Sequence, residues 1–487
     1  MTETETTGAG GTGMRLHPRP GSGTPKPWAF PAPDRSGLPN GLTVLRSHRP
    51  GQRVVAVELH LPAPLAAEPR DREGVATITA RALSEGTDRH TGEEFAAELE
   101  RCGATLDAWA DHAGIRISLE VPASRLGRGL ELLADALRAP TFPEHEVERL
   151  VRNRLDEIPH ELANPARRAA IALSEALFPA DSRMSRPRQG SAETVARIDT
   201  KAVRAFHEAH LRPSTATAVV VGDLTGVDLE GMLGETLGTW RGEDRPPAPY
   251  APVAGDDSPR VIVVDRPGSV QTQLLIGRVG PDRHDRVWPA QQLGVYCLGG
   301  TLTSRLDLVL REEKGYTYGV RAYARVLRSS ADGTGGSLLA ISGSVATDVT
   351  GEALADLRRV LVTLAEEGLT DAERDTAVRN LVGVAPLRFE TAAAVAGTLA
   401  DQVEQELPDD FQARMYERLA ETGTVEATAA AVAAFPADRL VTVLVGDASR
   451  IVEPVRGLGF GEVTVVTGEE VDPEAAAGAP DEDGPAA

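Results

Sequence analysis

Three short motifs recur in the same order, at nearly the same distance, along this 487-residue chain. Arg-Pro-Gly occurs at Arg49 and Arg266, 217 residues apart, and Val-Arg-Asn at Val151 and Val378, 227 apart. Val-Gly-Asp occurs at Val221 and Val445, 224 apart. A single triplet recurs by chance, but three in one order at nearly one offset mark a duplicated domain. The chain must then fold as two copies of one unit, each of roughly 210 residues, a size that can bury its own core. Each copy opens with two strand-like runs around the Arg-Pro-Gly turn, from Leu42 and from Val261, and closes on an apolar strand ending in Val-Gly-Asp.

The intervening order is strands, helix, strands, long helices and closing strand. That order predicts two α+β domains, each a mainly antiparallel sheet with long helices packed on one face. Thr91 with Glu94 reads as a capping box opening a helix over 91–102. Residues 241–259 form a semi-stiff connector, with four prolines within seven residues. The expected organisation is a disordered arm over 1–36, a first half over 37–240, the connector, a second half over 260–467, and an acidic disordered tail over 468–487.

Composition narrows the function. The formal charge is −21 and no Lys/Arg stripe is present, which argues against nucleic acid as a partner. Two distant cysteines, Cys102 and Cys297, supply neither a disulfide framework nor a Cys-x-x-Cys metal site. With no signal-peptide core and no apolar run long enough to span a bilayer, a soluble cytoplasmic protein is expected, with no membrane partner.

The stretch Leu298–Val320, LGGTLTSRLDLVLREEKGYTYGV, predicts a helix on which Leu302, Leu306, Val309 and Leu310 share a face, stopped by Gly315 and followed by a strand. The turn folds Arg311 back towards Tyr318, a guanidinium and a phenol suited to a peptide carbonyl or an oxyanion. A surface Arg beside a core-edge Tyr is the alternative.

In the first half, GVATITARALSEGT (Gly74–Thr87) resembles the zinc helix of the pitrilysin/insulinase-type M16 metallopeptidases, which reads G-x-x-H-x-x-E-H with G-T following. There the two histidines hold Zn²⁺ from one helix face and the Glu polarises the attacking water. Gly74, Gly86 and Thr87 keep the frame. The two histidine positions are Thr77 and Arg81, and the Glu position is Ala80. The family's third ligand falls on Glu157, which is retained. An ion pair between Arg81 and Glu157 is expected where the metal would sit. The histidines, including the pair His207 and His210, are read as surface or core-edge residues.

The resemblance runs from about residue 37 to 466 and implies more. In two-chain members of the family the zinc-free subunit supplies an Arg/Tyr pair from its second domain. Ser304, Arg305, Leu306, Arg311, Glu312, Gly315 and Tyr318 match that motif. Arg311 and Tyr318 are thereby the expected contacts to substrate and transition state, acting in trans. Gly299 and Gly300 match the family's glycine loop. Asp107 and Ala108 stand where the family has Asn-Ala on the strand edge that receives peptide. The implied chain binds no metal or other cofactor itself; zinc belongs to a partner, an M16 homologue with an intact H-x-x-E-H motif, and the substrate is a peptide. The other implied reading is an inactive pseudo-peptidase serving as a peptide-binding or scaffold module.

Overall fold

Each Arg-Pro-Gly turn is bonded to the Val-Gly-Asp of its own half. The Gly51 amide donates to Asp223 Oδ2 at 2.9 Å, and the Gly268 amide to Asp447 Oδ2 at 3.0 Å. Both glycines have positive φ, 84° and 77°, which a side chain would strain. The two recurring motifs are therefore one structural unit, in which an aspartate satisfies the backbone of a hairpin turn. The computed structural model describes residues 28–243, 245–250 and 252–467.

The first sheet has six strands in the order β1-β2-β6-β3-β5-β4, made of β1 (Asp34–Gly37), β2 (Thr43–His48), β3 (Val54–Leu61), β4 (Thr105–Ala110), β5 (Ile115–Pro122) and β6 (Thr217–Gly222). The second has the order β12-β7-β11-β8-β10-β9, made of β7 (Arg260–Asp265), β8 (Gln271–Gly280), β9 (Thr317–Arg328), β10 (Gly336–Ala346), β11 (Val441–Gly446) and β12 (Glu462–Thr467). Strand for strand the sheets correspond, and antiparallel pairs dominate both. They differ at one edge. There the first sheet gains β1, antiparallel to β2, and the second gains β12, parallel to β7.

On its inner face the first sheet packs against α1 (Val75–Ala82), α2 (Gly92–Cys102), α3 (Leu126–Arg138) and α4 (Glu144–Ala163) around a continuous apolar core. The Thr91–Glu94 capping box opens α2 with both of its hydrogen bonds. The next helix, α5 (Pro165–Leu177), crosses over. Its Ala169, Ala172, Leu173 and Leu177 pack on Leu275, Ala340, Val441 and Val443 of the second sheet's outer face.

The second half reciprocates. After α6 (Ala192–Val195), α7 (Thr200–His210) and α8 (Leu229–Glu235) of the first half, it builds α9 (Trp288–Gly299), α10 (Arg305–Asp307), α11 (Thr350–Glu367), α12 (Asp371–Arg388) and α13 (Ala392–Glu404). Ala392, Val395, Ala396 and Leu399 of α13 cover Leu45, Ala56, Val219 and Val221 on the first sheet's outer face. Each half thus keeps its own long helices on one face, as expected, and lends one helix to the other's back.

The repeated arginines reinforce this exchange. Arg49 donates to the carbonyl of Phe389, which caps α12, at 3.2 Å, while Arg266 donates to that of Ala163, the last residue of α4. Cations at helix C-termini are favourable in both places.

One boundary is corrected here. Residues 28–36, assigned to the arm, belong to the fold: Trp28 stacks on Phe389 at 5.6 Å, Phe30 meets the same ring edge-on at 4.9 Å, and β1 extends the sheet. The connector is irregular but fastened to both halves, through Tyr250 Oη donating to Ala113 O at 3.0 Å and Val253 N to Thr334 O at 2.9 Å. Residues 1–27 of the expected arm and the tail over 468–487 lie outside the described residues.

Candidate functional site: a closed metal position and an open Arg/Tyr edge

Helix α1 is anchored at its start by a buried carboxylate. Glu68 Oε1 accepts from Gly74 N at 2.9 Å and Ala76 N at 3.0 Å, satisfying amides that the first helical turn leaves open. Gly74 sits at φ 103°, and a Cβ there would meet the Gln189 carbonyl oxygen at 2.7 Å. The frame of the degenerate helix is intact, with Thr77 and Ala80 buried inside it.

At the third position the expected ion pair is present. Arg81 forks onto Glu157, Nη1 to Oε1 at 2.8 Å and Nη2 to Oε2 at 3.3 Å. Glu157 Oε2 also accepts from Arg154 at 3.2 Å, and Arg154 in turn grips both oxygens of Glu161 at 2.8 Å. Burial alone would raise the Glu157 pKa, but hydrogen bonds and charge from Arg81 and Arg154 outweigh it and hold the carboxyl below its ordinary value.

Zinc does not fit these residues. Both oxygens of the one retained ligand are engaged by guanidinium groups. Thr77 offers only a buried hydroxyl with no hydrogen-bond partner, and Ala80 and Arg81 offer no ligand. Among the described residues no group of three or more His, Cys, Asp or Glu side chains is arranged to hold a metal. His207 Nε2 lies 2.8 Å from the Leu137 carbonyl oxygen and its ring packs edge-on against Phe142, while His210 packs on Phe206.

Beside the fork lies an open cleft of about 240 Å³, lined by Ala80, Arg81, Leu106, Asp107 and Ala108 among others. The last three belong to β4, the free edge of the first sheet. Asp107 is exposed and Ala108 half-buried. The sealed metal position and the candidate peptide edge therefore share one cleft.

In the second half, α9 stands where α1 stands in the first, and the turn into β9 corresponds to the turn from α2 into β4. Gly103 (φ 62°) and Gly315 (φ 67°) occupy the same place, between helix and edge strand. The predicted helix–glycine–strand order holds, with a changed helix. It starts at Arg305 and continues as a π-helical turn over Leu308–Glu313. Leu306 and Leu310 are fully buried, but Leu302 precedes the helix and is 51% exposed, so it does not share their face. Wide turns of this kind are common at functional sites.

Arg311 and Tyr318 do not touch. Arg311 Nε is 3.6 Å from Glu312 Oε1, with its side chain about one-third exposed, and Tyr318 is 91% exposed near the start of β9. Tyr318 lies on β9, the free edge strand of the second sheet, and Arg311 on the π-helical turn that precedes it. Gly299 is buried; a Cβ there would lie 2.3 Å from Ala322 N, so it serves close packing of α9 on β9. Gly300 closes α9 against the Tyr296 ring.

Two positioning features escaped the sequence reading. Asp307, fully buried, accepts from Val320 N at 2.8 Å and pairs with Arg321, fastening the helix to the strand that carries Tyr318. Arg305 forks onto Glu373 at 2.5 and 2.8 Å. An acid set between Leu306 and Leu308 in an apolar run was the available signal for the first.

Comparison with known proteins agrees with this geometry. The insulinase (peptidase family M16) profile matches residues 43–183 and the peptidase M16 inactive domain profile matches 197–381, together more than half of the chain. An uncharacterized zinc protease of Mycobacterium tuberculosis is 27% identical over 377 residues, 76% of this chain and 83% of that one. Another, from Bacillus subtilis, is 23% identical over 368 residues, 72% and 83% respectively. The solved peptidase M16 inactive domain from Pseudomonas fluorescens superposes with a TM-score of 0.75 at 22% identity, covering 85% of this chain and 98% of that one. A protease from Helicobacter pylori gives 0.78 at 17%, covering 85% and 99%.

Two α+β halves that exchange a helix, with a helix α1 whose described neighbours do not fit zinc, define a chain of the metallopeptidase type. The chain belongs to peptidase family M16. No helix among its described residues is long and apolar enough to cross a membrane.

Proposed function

We propose that the chain is the non-catalytic subunit of a heteromeric M16-type zinc peptidase, presenting Arg311 and Tyr318 to a peptide in the active site of a homologous partner with an intact H-x-x-E-H helix. The observation that supports this reading most is the Arg81–Glu157 fork, which sets a cation on the carboxylate that the resemblance makes a metal ligand. Among the described residues a site so closed offers no ligand set for a metal to activate water, yet Arg311 and Tyr318 stand beside and on the free edge strand β9. An oxyanion forming on a peptide carbonyl needs donors on the side away from the attacking water. Loss of one such donor typically costs about 2.7–4 kcal/mol. Backbone pairing along β4, beside Asp107 and Ala108, would hold the peptide with little sequence preference.

The separation of Arg311 from Tyr318 favours a second reading, a scaffold or peptide-binding module whose pair is never assembled. One assay decides between them. The two chains are co-purified and peptide cleavage is measured with Arg311→Ala and Tyr318→Phe. The subunit role predicts a loss in kcat of about 10²–10³ for each. Full turnover in both variants leaves the scaffold.

A further inference from the structure

Strand β4 shows two different faces to anything laid along its free edge. Leu106, Ala108 and Ala110 turn inward onto the first core. Thr105, Asp107 and Trp109 alternate with them on the outer face, and all three are exposed. Trp109 keeps 40% of its surface open on a free edge strand, a place where natural sheets usually set charge or cover.

The neighbours on β5 leave that outer row unoccupied. Trp109 lies opposite Arg116, and Asp107 opposite Ser118. Arg116 is already committed, with its two Nη atoms bonded to Asp401 at 2.6 Å and Glu404 at 2.7 Å of α13. Among the described residues no cation lies within ion-pair distance of Asp107. A carboxylate and an indole therefore stand on one face of the edge strand, roughly 7 Å apart along it. A strand added there sets each of its side chains about 4.5–5.5 Å from the residue opposite and about 7–8 Å from the diagonal one. One long cationic side chain on the outer row can then pair with Asp107 and lie over the Trp109 ring.

The duplication supplies a comparison. Gly103 and Gly315 each stand two residues before an edge strand, so Asp107 and Trp109 correspond to Gly319 and Arg321 of β9. There the row holds no acid, and its arginine is paired with Asp307. The carboxylate and the indole belong to the β4 edge and not to its counterpart.

We propose that Asp107 and Trp109 form a cation-recognising clamp on the outer face of the β4 edge, selecting extended peptides that carry a lysine or arginine on that face. The proposal rests on the reading of β4 as a peptide edge, and adds a side-chain preference to its backbone pairing. The inward row of such a peptide meets Leu106, Ala108 and the cleft, so the selected sequence alternates apolar and basic. The formal charge of −21 steers the same ligand from a distance.

The test uses the full chain and fluorescein-labelled extended decapeptides, capped at both ends, in anisotropy titrations. The peptides differ only at one position of the polar row, which is Arg, Gln or Glu. The Arg peptide is expected to bind about tenfold more tightly than the Gln peptide, with the Glu peptide weakest. This preference should shrink in Asp107→Asn and in Trp109→Ala, vanish in the double variant, and survive largely in Asp107→Glu and Trp109→Phe. Added salt should weaken it. Equal binding of the three peptides, or a preference that persists in the double variant, overturns the clamp while leaving the peptide edge standing. Absence of binding by every peptide overturns both.

Discussion

Arg81 and Arg154 hold the same carboxylate from different depths, and their removal should differ accordingly. The Arg81–Glu157 pair is about one-third exposed on either side, so solvent screens it, and Arg81→Ala should cost no more than about 1 kcal/mol. Arg154 is 1% exposed and carries four hydrogen bonds, so Arg154→Ala strands Glu161 and Glu157 together and should cost about 3–5 kcal/mol. Urea titrations of the two variants measure the gap. The pair also has a pH signature. Because the folded Glu157 pKa lies below its ordinary 4.5, its stabilisation is complete above that value and is lost as the pH falls through the folded one. Arg81→Ala should therefore lower stability at neutral pH, by up to that ~1 kcal/mol, leave it nearly unchanged below the folded pKa, and so flatten the acid limb of the stability profile.

At the scale of elements, the helix–turn–strand that presents Arg311 and Tyr318 depends on Asp307. Replacing it by alanine leaves the buried Val320 amide without an acceptor, at a cost of about 1–3 kcal/mol, and frees the start of β9. In the paired assay Asp307→Ala should lower turnover without touching the peptide. A Tm loss with unimpaired turnover would show that the fastening is structural only. This element also shows what sequence can and cannot reveal. Gly315 announced the turn because only a residue tolerant of positive φ ends a helix that way. Leu302 misled because a 3.6-residue period assumes a regular helix, and the turn before Arg305 with the π-wide step after it breaks that period. The repeated Arg-Pro-Gly and Val-Gly-Asp exposed the duplication, but no local pattern tells that Arg49 reaches the end of α12 or that α5 serves the other sheet. Glu157 was found through its place in a known helix frame, and its capture by Arg81 followed from charge.

Across the whole molecule the halves are joined by a buried charge cluster as well as by exchanged helices. Arg116 of β5 forks onto Asp401 at 2.6 Å and Glu404 at 2.7 Å of α13, with His60 and Glu58 beside it on β3. Burial, with Asp111 and Asp401, pushes Glu404 up to about 8 against the pull of Arg116. Between about 4.5 and 8 the folded chain therefore holds a proton that the unfolded chain has released, and stability should decline as pH rises through that window. Glu404→Gln should remove that decline, as read from denaturant midpoints at pH 5, 6.5 and 8. The reciprocal helices make a further expectation concrete. Fragments ending at 243 and starting at 252, produced together, should co-purify, whereas each alone should aggregate. The same exchange sets a timetable for synthesis. The first sheet is complete when β6 ends at Gly222, but its outer face waits for Ala392 onward to be made. At about 5–20 residues per second that interval is roughly ten to thirty seconds. Throughout it the nascent chain carries Leu45, Ala56, Val219 and Val221 uncovered, a standing invitation to chaperones and to neighbouring ribosomes' products alike.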